Sequence, residues 1–178
     1  MSETVPPVIP GEKETVPVCS ICGSHLVMHD AWAIWTPTKG IWELGATFDA
    51  TFCDQCGGET SLKWVSLAEW RTLRIRALND ALRQNGPSMN DQFLVTRGVI
   101  EKGQTFVDQA MQLVGSFSDF TPDNDPNGEH EFGIATIDGE SVYFKIDYYD
   151  PELQAGSEDP AEPARTARVL TILLASEY

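Results

Sequence analysis

Two cysteine pairs, Cys19-Ser-Ile-Cys22-Gly23 and Cys53-Asp-Gln-Cys56-Gly57, decide the fold of the N-terminal part of this 178-residue chain. Two cysteines separated by two residues can wrap a tight knuckle whose backbone amides point at the sulfur atoms. The glycine that follows supplies the left-handed backbone angle that the knuckle requires. Two such knuckles complete a tetrahedral shell of four sulfur atoms. The spacing therefore predicts a metal site formed by Cys19, Cys22, Cys53 and Cys56.

We expect Zn²⁺ at this site, in a structural role, because a closed shell of four sulfur atoms leaves no open position for water or substrate. A ribbon of this size cannot bury enough apolar surface alone, so the metal would supply folding energy on the order of 10 kcal/mol. Iron, as in rubredoxin-like proteins, and two disulfides are the alternatives for the same cysteines. His25 and His29 lie near the first knuckle, but four cysteines already close the shell, so we expect both at the surface.

A hairpin is predicted between the knuckles, with Trp32–Trp35 and Ile41–Leu44 as strands around the turn Thr36-Pro-Thr-Lys-Gly40. We assign residues 18–65 to the zinc ribbon. Residues 1–17 are rich in proline and polar residues, which favours a disordered leader. Residues 66–178 form an acidic α+β domain.

Helical spacing of apolar residues predicts two helices in this domain, at 66–85 and 102–117. Ser66 can cap the first helix, since Glu69 follows three residues later. Its arginines, including Arg83, fall on faces other than the apolar one. Strands are predicted at 93–96, 132–137, 141–146 and 168–174, with an Asp138-Gly139 turn and the last strand central. The predicted fold is therefore α+β: an N-terminal zinc ribbon plus a small, mainly antiparallel sheet with two helices.

The charge is strongly negative, at −15, with 27 acidic and 12 basic residues. Sixteen of the acidic residues fall in 101–178, against four basic ones. Such a surface repels nucleic acid and acidic lipid and suits a basic partner, including a protein groove built for DNA; plain solubility is the alternative. We find no long apolar stretch and no signal-peptide pattern. We therefore expect a cytoplasmic protein that binds a basic or DNA-binding protein, without direct nucleic-acid or membrane contact.

The loop Asp123–Glu131 is the most unusual segment of the acidic domain. Asp123, Asp125, Glu129 and His130 lie within eight residues, and His130 could serve as a general base in a hydrolytic site. The same loop matches the first half of a calcium loop, although Ile134 stands where the bidentate glutamate belongs. A third interpretation is that these residues only make turns and cap their own backbone. Lys145, expected opposite Phe132 in the hairpin, could reach the loop carboxylates.

Several short motifs are similar to those of a known family. They include Val95-Thr-Arg-Gly-Val99, Phe120-Thr-Pro-Asp-Asn-Asp-Pro126, Gly128-Glu-His130, Lys145-Ile-Asp-Tyr-Tyr-Asp-Pro151 and Arg168-Val-Leu-Thr-Ile172. Over about residues 70–178 the chain resembles an uncharacterised family of small bacterial proteins, catalogued only as a domain of unknown function and frequent on plasmids and other mobile elements. The ribbon resembles short ribbon proteins carried by similar elements. The resemblance implies a mobile-element accessory protein and supplies no activity.

Two classes of function follow from the sequence. The first is a non-enzymatic, zinc-binding interaction protein, including an acidic DNA mimic that inhibits a host defence or regulatory protein. The second is a metal-dependent or hydrolytic enzyme centred on the Asp123–Glu131 loop. Nucleic-acid binding through the ribbon and Arg71, Arg74 and Arg76 is a weaker third class, because residues 18–65 hold only two lysines against five acidic residues.

Overall fold

A computed structural model describes residues 15–88 and 90–178 of the chain. Within them the chain divides into two compact units, with the boundary between Trp70 and Arg71. The α+β class predicted from the sequence is confirmed. No helix in these two described stretches is long and apolar enough to cross a membrane.

The first unit is a ribbon of five strands. Strands β1 (Thr15–Cys19) and β5 (Leu62–Ser66) pair antiparallel, and β2 (Val27–Thr36), β3 (Ile41–Cys53) and β4 (Gly58–Glu59) form a second antiparallel sheet. The predicted hairpin is confirmed, since β2 and β3 pair through Trp35 and Trp42 around the expected turn. Both strands extend well beyond the predicted apolar segments. The hairpin is therefore the longest part of this unit.

The predicted leader, residues 1–17, is corrected at its C-terminal end. Thr15, Val16 and Pro17 lie in β1 and pair with Ser66, Val65 and Trp64. Pro17 fits there because β1 has a strand on one side only, so its missing N–H can face away from the pairing. The remainder of the predicted leader, residues 1–14, lies outside the described residues.

Helix α1 (Leu67–Asn85) begins at the predicted cap, where the backbone N–H of Glu69 donates to Ser66 Oγ at 3.1 Å. Its buried face differs from the predicted one. Asn79 and Arg83 are buried among the apolar residues, although we placed Arg83 on a polar face. Polar partners in distant segments make this burial possible, and an apolar periodicity cannot reveal them.

The second unit contains a four-stranded sheet in the order β6-β9-β8-β7. The strands are β6 (Gln92–Val95), β7 (Phe132–Ile137), β8 (Glu140–Tyr149) and β9 (Ala167–Leu174). Only β6 pairs in parallel, with β9. Strand β9 lies inside the sheet, as predicted, and seven of its eight residues are buried.

The domain boundary that the sequence predicts between residues 65 and 66 lies five residues before the break between the two units, because α1 begins in the first unit.

Two further helices follow β6: α2 (Arg97–Glu101) and α3 (Gln104–Ser116). Helix α2 is not predicted by the sequence pattern, because Arg97-Gly98 is typical of the end of a strand, so the described part of the chain has three α-helices rather than two. Short 3-10 helices occur at Pro163–Arg165 and Ala175–Glu177. Apolar residues of α1, α2 and α3 share one core with alternate residues of β8 and β9, such as Phe144 and Ile172.

The β7–β8 turn has the predicted chemistry. Asp138 and Gly139 both have positive φ, at 49° and 83°, as a two-residue hairpin requires. The register brings Phe132 opposite Lys145, as expected. However, the Lys145 ammonium pairs with Asp147 at 2.7 Å. The ion pair that we expected between Lys145 and the loop carboxylates is therefore replaced by a pair within β8.

Candidate metal centre and polar networks

The four cysteines come together as predicted. Their sulfur atoms all lie within 4.8 Å of one another. Sγ of Cys19 is 3.9 Å from that of Cys56, and Sγ of Cys22 is 3.7 Å from that of Cys53. A tetrahedral ion with metal–sulfur bonds of about 2.3 Å separates its sulfur ligands by about 3.8 Å. The four thiols are therefore positioned to bind one metal ion.

Both knuckles have the backbone geometry that a metal site needs. The N–H of Gly23 donates to the carbonyl of Cys19, and that of Gly57 donates to the carbonyl of Cys53, each at 2.9 Å. The two glycines have φ of 74° and 66°. A side chain at either position would be strained, which is why each Cys-x-x-Cys pair is followed by glycine.

The thiols do not ionise independently of one another. The hydroxyl of Thr60, 3.0 Å from Cys19 Sγ, and backbone amides lower the pKa of Cys19 to about 6. Contact with Cys22 and burial raise the pKa of Cys56 to about 12, and burial raises the pKa of Cys53. Packed sulfur atoms resist holding several negative charges, and a bound cation removes that resistance. The donor set is therefore suited to a cation.

The two histidines near the first knuckle lie outside this sulfur shell. The ring of His25 packs edge-on against Trp70, with centroids 5.6 Å apart. Nδ1 of His29 lies 3.1 Å from the carbonyl oxygen of Phe48. Neither is part of the group that could hold the ion, which contains cysteines alone.

The hairpin of the ribbon exposes large apolar side chains on both of its faces. Trp32 packs edge-on against Phe48, with ring centroids 5.1 Å apart, and Trp35 packs in the same way against Trp42 at 5.6 Å. Since side chains alternate along a strand, the exposed neighbours Ile34 and Trp35 lie on opposite faces. Trp32 is still 70% exposed, Trp42 68% and Leu44 71%. Contiguous exposed apolar surface of this kind is typical of a protein-binding site.

Of the four residues proposed as a catalytic cluster in the acidic loop, the structure keeps Asp125 and His130 together and places Asp123 and Glu129 elsewhere. Asp123 is exposed, whereas Asp125 is buried and accepts the backbone N–H groups of Glu129 and His130 on Oδ1, at 2.9 and 3.0 Å. Asn127 donates to Glu131 at 3.0 Å. Among residues 15–88 and 90–178, the loop forms no group of three His, Cys, Asp or Glu side chains positioned for a metal. The calcium-loop interpretation therefore has no support from the geometry.

His130 is instead joined to a residue of α1 that no sequence motif singles out. Nδ1 of His130 lies 2.9 and 3.1 Å from the two carboxylate oxygens of Asp80 on α1. Its Nε2 lies 3.8 Å from Asp125, and its ring stacks on Phe120 with centroids 3.7 Å apart. Asp80 also pairs with Arg83, which donates to the carbonyl of Val114 at 2.8 Å. These contacts fix the ring at the edge of a shallow groove of about 430 Å³.

Glu129 belongs to a different network, centred on Asn79. Nδ2 of Asn79 donates to the carbonyl of Glu129 at 2.9 Å and to the hydroxyl oxygen of Tyr148 at 2.7 Å. That hydroxyl donates in turn to Glu129 Oε2 at 3.2 Å, and Nε of Arg168 donates to Asn79 Oδ1 at 3.1 Å. Burial and the nearby Glu131 raise the pKa of Glu129. The signal that could have revealed this network is a polar residue at a core position of α1.

Comparison with known proteins agrees with part of the resemblance. Residues 95–177 match the family described as "Protein of unknown function (DUF3768)". This is somewhat less than half of the chain; it includes the acidic loop and strands β7 to β9, but not the four cysteines. The resemblance to a family without an assigned function is confirmed for these residues. No curated protein and no solved structure matches the chain.

Proposed function

We propose that the protein is a zinc-stabilised interaction protein, in which the β2–β3 hairpin contacts a partner protein. The observation that carries this proposal is the exposed apolar surface on both faces of that hairpin. The first unit has little interior, since Val18, Val65 and two cysteines are its fully buried apolar residues within the described part of the chain. A metal ion bound by the two knuckles would therefore keep the hairpin folded, so that its surface is available to a partner.

Zn²⁺ is the ion that we propose for the four cysteines. Zn²⁺ with four thiolates is the usual structural arrangement for two Cys-x-x-Cys pairs. Metal analysis of the purified protein by mass spectrometry should find about one zinc per chain. Cys53→Ser, in the second knuckle, should lose the metal, whereas Ser20→Ala, between the two cysteines of the first knuckle, should keep it. If the metal analysis found about one iron per chain and no zinc, the proposal of Zn²⁺ would be wrong.

The proposed partner is basic. The net charge of −15 supports it, and the ribbon itself has more acidic than basic residues. The more specific hypothesis, that the acidic half of the chain imitates DNA, has less support than a basic partner in general. Several carboxylates are engaged within the fold: Asp150 accepts backbone amides, and Glu140 pairs with Lys102. The mobile-element setting comes from the resemblance alone, so inhibition of a host defence protein stays a prediction.

Capture from a host lysate at low and high salt tests the interaction. We expect a basic protein that is lost at high salt, because attraction between exposed charges is screened. The double variant Trp42→Ser, Leu44→Ser should lose this protein. Trp64→Ser is the matched control, since Trp64 is 61% exposed but lies on β5, which is not part of the hairpin sheet. Equal capture by the hairpin variant and the control would contradict the proposal.

A hydrolytic enzyme is the second candidate function, and the contact between Asp80 and His130 favours it. A carboxylate on Nδ1 fixes the orientation and tautomer of an imidazole, as in general-base sites. Arg76 lies at the same groove and could hold an anionic substrate. We would assay p-nitrophenyl phosphate and p-nitrophenyl acetate. His130→Ala should abolish any turnover, whereas Asp123→Asn should leave it unchanged; turnover that survives His130→Ala would exclude this site.

A further inference from the structure

A second concave site lies in the second unit, and His130 is not among the residues that line it. It is a cavity of about 480 Å³ beside the C-terminal half of α1. Leu78, Ala81 and Leu82 line it from the helix, and Pro163 and Ala164 line it from the segment before β9. Most of its wall is apolar, and its volume falls within the range of small-molecule sites.

Arg168 is a charged residue among those that line this mostly apolar cavity. The residue lies on β9 and only 2% of its surface is exposed. Its Nε donates to Asn79 Oδ1, and its Nη2 donates to the carbonyl of Pro160. Among the described residues, no carboxylate lies within ion-pair distance of the guanidinium, whereas the more exposed Arg71 and Arg165 both have one.

A buried guanidinium without a contacting anion is costly, because burial removes its hydration and no opposite charge replaces it. The other buried arginine in this unit, Arg83, is paired with Asp80. Burial lowers the pKa of Arg168, and Asp91 opposes that change only through space. Two neutral acceptors therefore receive the hydrogen bonds of the Arg168 guanidinium, which also lies 5.7 Å from the centre of the Tyr148 ring, and the cavity leaves room for an anion.

We propose that this cavity binds a small carboxylic acid with an apolar body. Its carboxylate would lie on Arg168, and its hydrocarbon part would lie against Leu78 and Leu82. Asp91 also lines the cavity, but its oxygens accept the backbone N–H of Arg168 at 2.9 Å and the hydroxyl of Ser88 at 2.6 Å. Because the Asp91 carboxyl group also lines the cavity, a monoanion is favoured over a ligand with two or more negative charges.

Titration of the full-length, metal-loaded protein with octanoate tests the site, with heteronuclear NMR as the readout. Octanol is the matched probe, because it has the same hydrocarbon chain without the charge. We expect saturable octanoate binding with shifts in the arginine and α1 signals. Octanol should bind at least about tenfold more weakly, since it leaves Arg168 without an anion. Equal affinity for the two probes, or no saturable octanoate binding, would overturn the proposal.

Substitutions on α1 and at Arg168 distinguish octanoate binding in the cavity from binding elsewhere on the protein. Ala81→Trp changes an exposed rim position of α1 and fills the cavity, so octanoate binding should be lost. Ala77→Trp is its control, because Ala77 is exposed on the same helix and does not line the cavity. Arg168→Lys keeps the charge but not the planar fork, and should weaken octanoate about tenfold with little effect on octanol. Octanoate binding to Ala81→Trp with wild-type affinity would place the ligand elsewhere.

Discussion

Asn79 has no exposed surface although it is polar and lies in the middle of a helix. Its side-chain amide connects three segments that are far apart in sequence: the acidic loop at Glu129, strand β8 at Tyr148 and strand β9 at Arg168. Both ends of the amide are satisfied, so the residue stabilises the fold only as long as each partner remains in place.

Replacement of Asn79 by leucine should lower the free energy of unfolding by roughly 2–4 kcal/mol. The side chains have similar size, but leucine leaves Arg168 Nε and the Glu129 carbonyl without their partner. Urea unfolding measures the difference. Gln84→Leu, at an exposed position of the same helix, should stay within about 0.5 kcal/mol of the wild type. A similar small effect of Asn79→Leu would show that the network contributes little.

Glu129 should make the stability depend on pH. Burial and Glu131 raise its pKa in the folded state above the ordinary value of 4.5. Folding therefore favours the protonated form of Glu129. The contribution of this residue to the free energy of unfolding is complete at pH values below its pKa in the unfolded chain. That contribution is lost as the pH rises through its higher pKa in the folded protein. Glu129→Gln should thus gain stability relative to the wild type as pH rises from about 4 to 7. Parallel pH profiles for wild type and variant would contradict this assignment; Glu152→Gln, at an exposed site, is the control.

At the scale of elements, the β7–β8 hairpin is set by its two-residue turn. Asp138 and Gly139 direct the chain back so that Phe132 meets Lys145 and Gly133 meets Phe144. The register matters because a shift by one residue would turn Phe144 and Ile146 from the core to the opposite face of the sheet. Gly133 must also remain small, because a Cβ there would lie 2.2 Å from the Phe144 ring.

Gly139→Ala should destabilise the second unit by roughly 1–2 kcal/mol, because alanine resists the left-handed conformation that the turn imposes. Gly156→Ala is the matched control. Its φ lies outside the left-handed range, and the nearest atom to an added Cβ is 4.0 Å away. Thermal unfolding followed through tyrosine signals compares the two variants. A larger loss for Gly156→Ala than for Gly139→Ala would argue against the turn as the determinant of the hairpin.

At the scale of the whole molecule, the aromatic residues divide between the two units. All five tryptophans lie at or before Trp70, and all four tyrosines lie from Tyr143 onwards. Each unit can therefore be followed by its own spectroscopic signal. This division allows the role of the metal to be tested without separating the units.

Removal of the metal with a chelator should unfold the ribbon and leave the second unit folded. The near-ultraviolet circular dichroism of tryptophan should collapse, because the Trp35–Trp42 and Trp32–Phe48 pairs separate when the knuckles open. The tyrosine signal should persist, since that unit has its own core. Zinc should restore the tryptophan signal. Loss of both signals together would show that the two units unfold as one.

The local features of this protein could be predicted from its amino-acid sequence. The Cys-x-x-Cys-Gly pattern predicted the sulfur shell, Ser66 and Glu69 predicted the start of α1, and Asp138-Gly139 predicted the turn. Each of these depends on the conformations of a few adjacent residues, or on ligand chemistry that permits few alternatives.

Only the tertiary structure decided which polar residues act together. The sequence grouped Asp123, Asp125, Glu129 and His130 because they are close along the chain. The fold instead joins His130 to Asp80 and Glu129 to Asn79 and Tyr148, and it leaves Asp123 exposed. Hydrogen bonds between side chains depend on distance in space, and one helix packed beside a sheet brings together residues that are 50 or more positions apart. For that reason no local pattern could have predicted these partners.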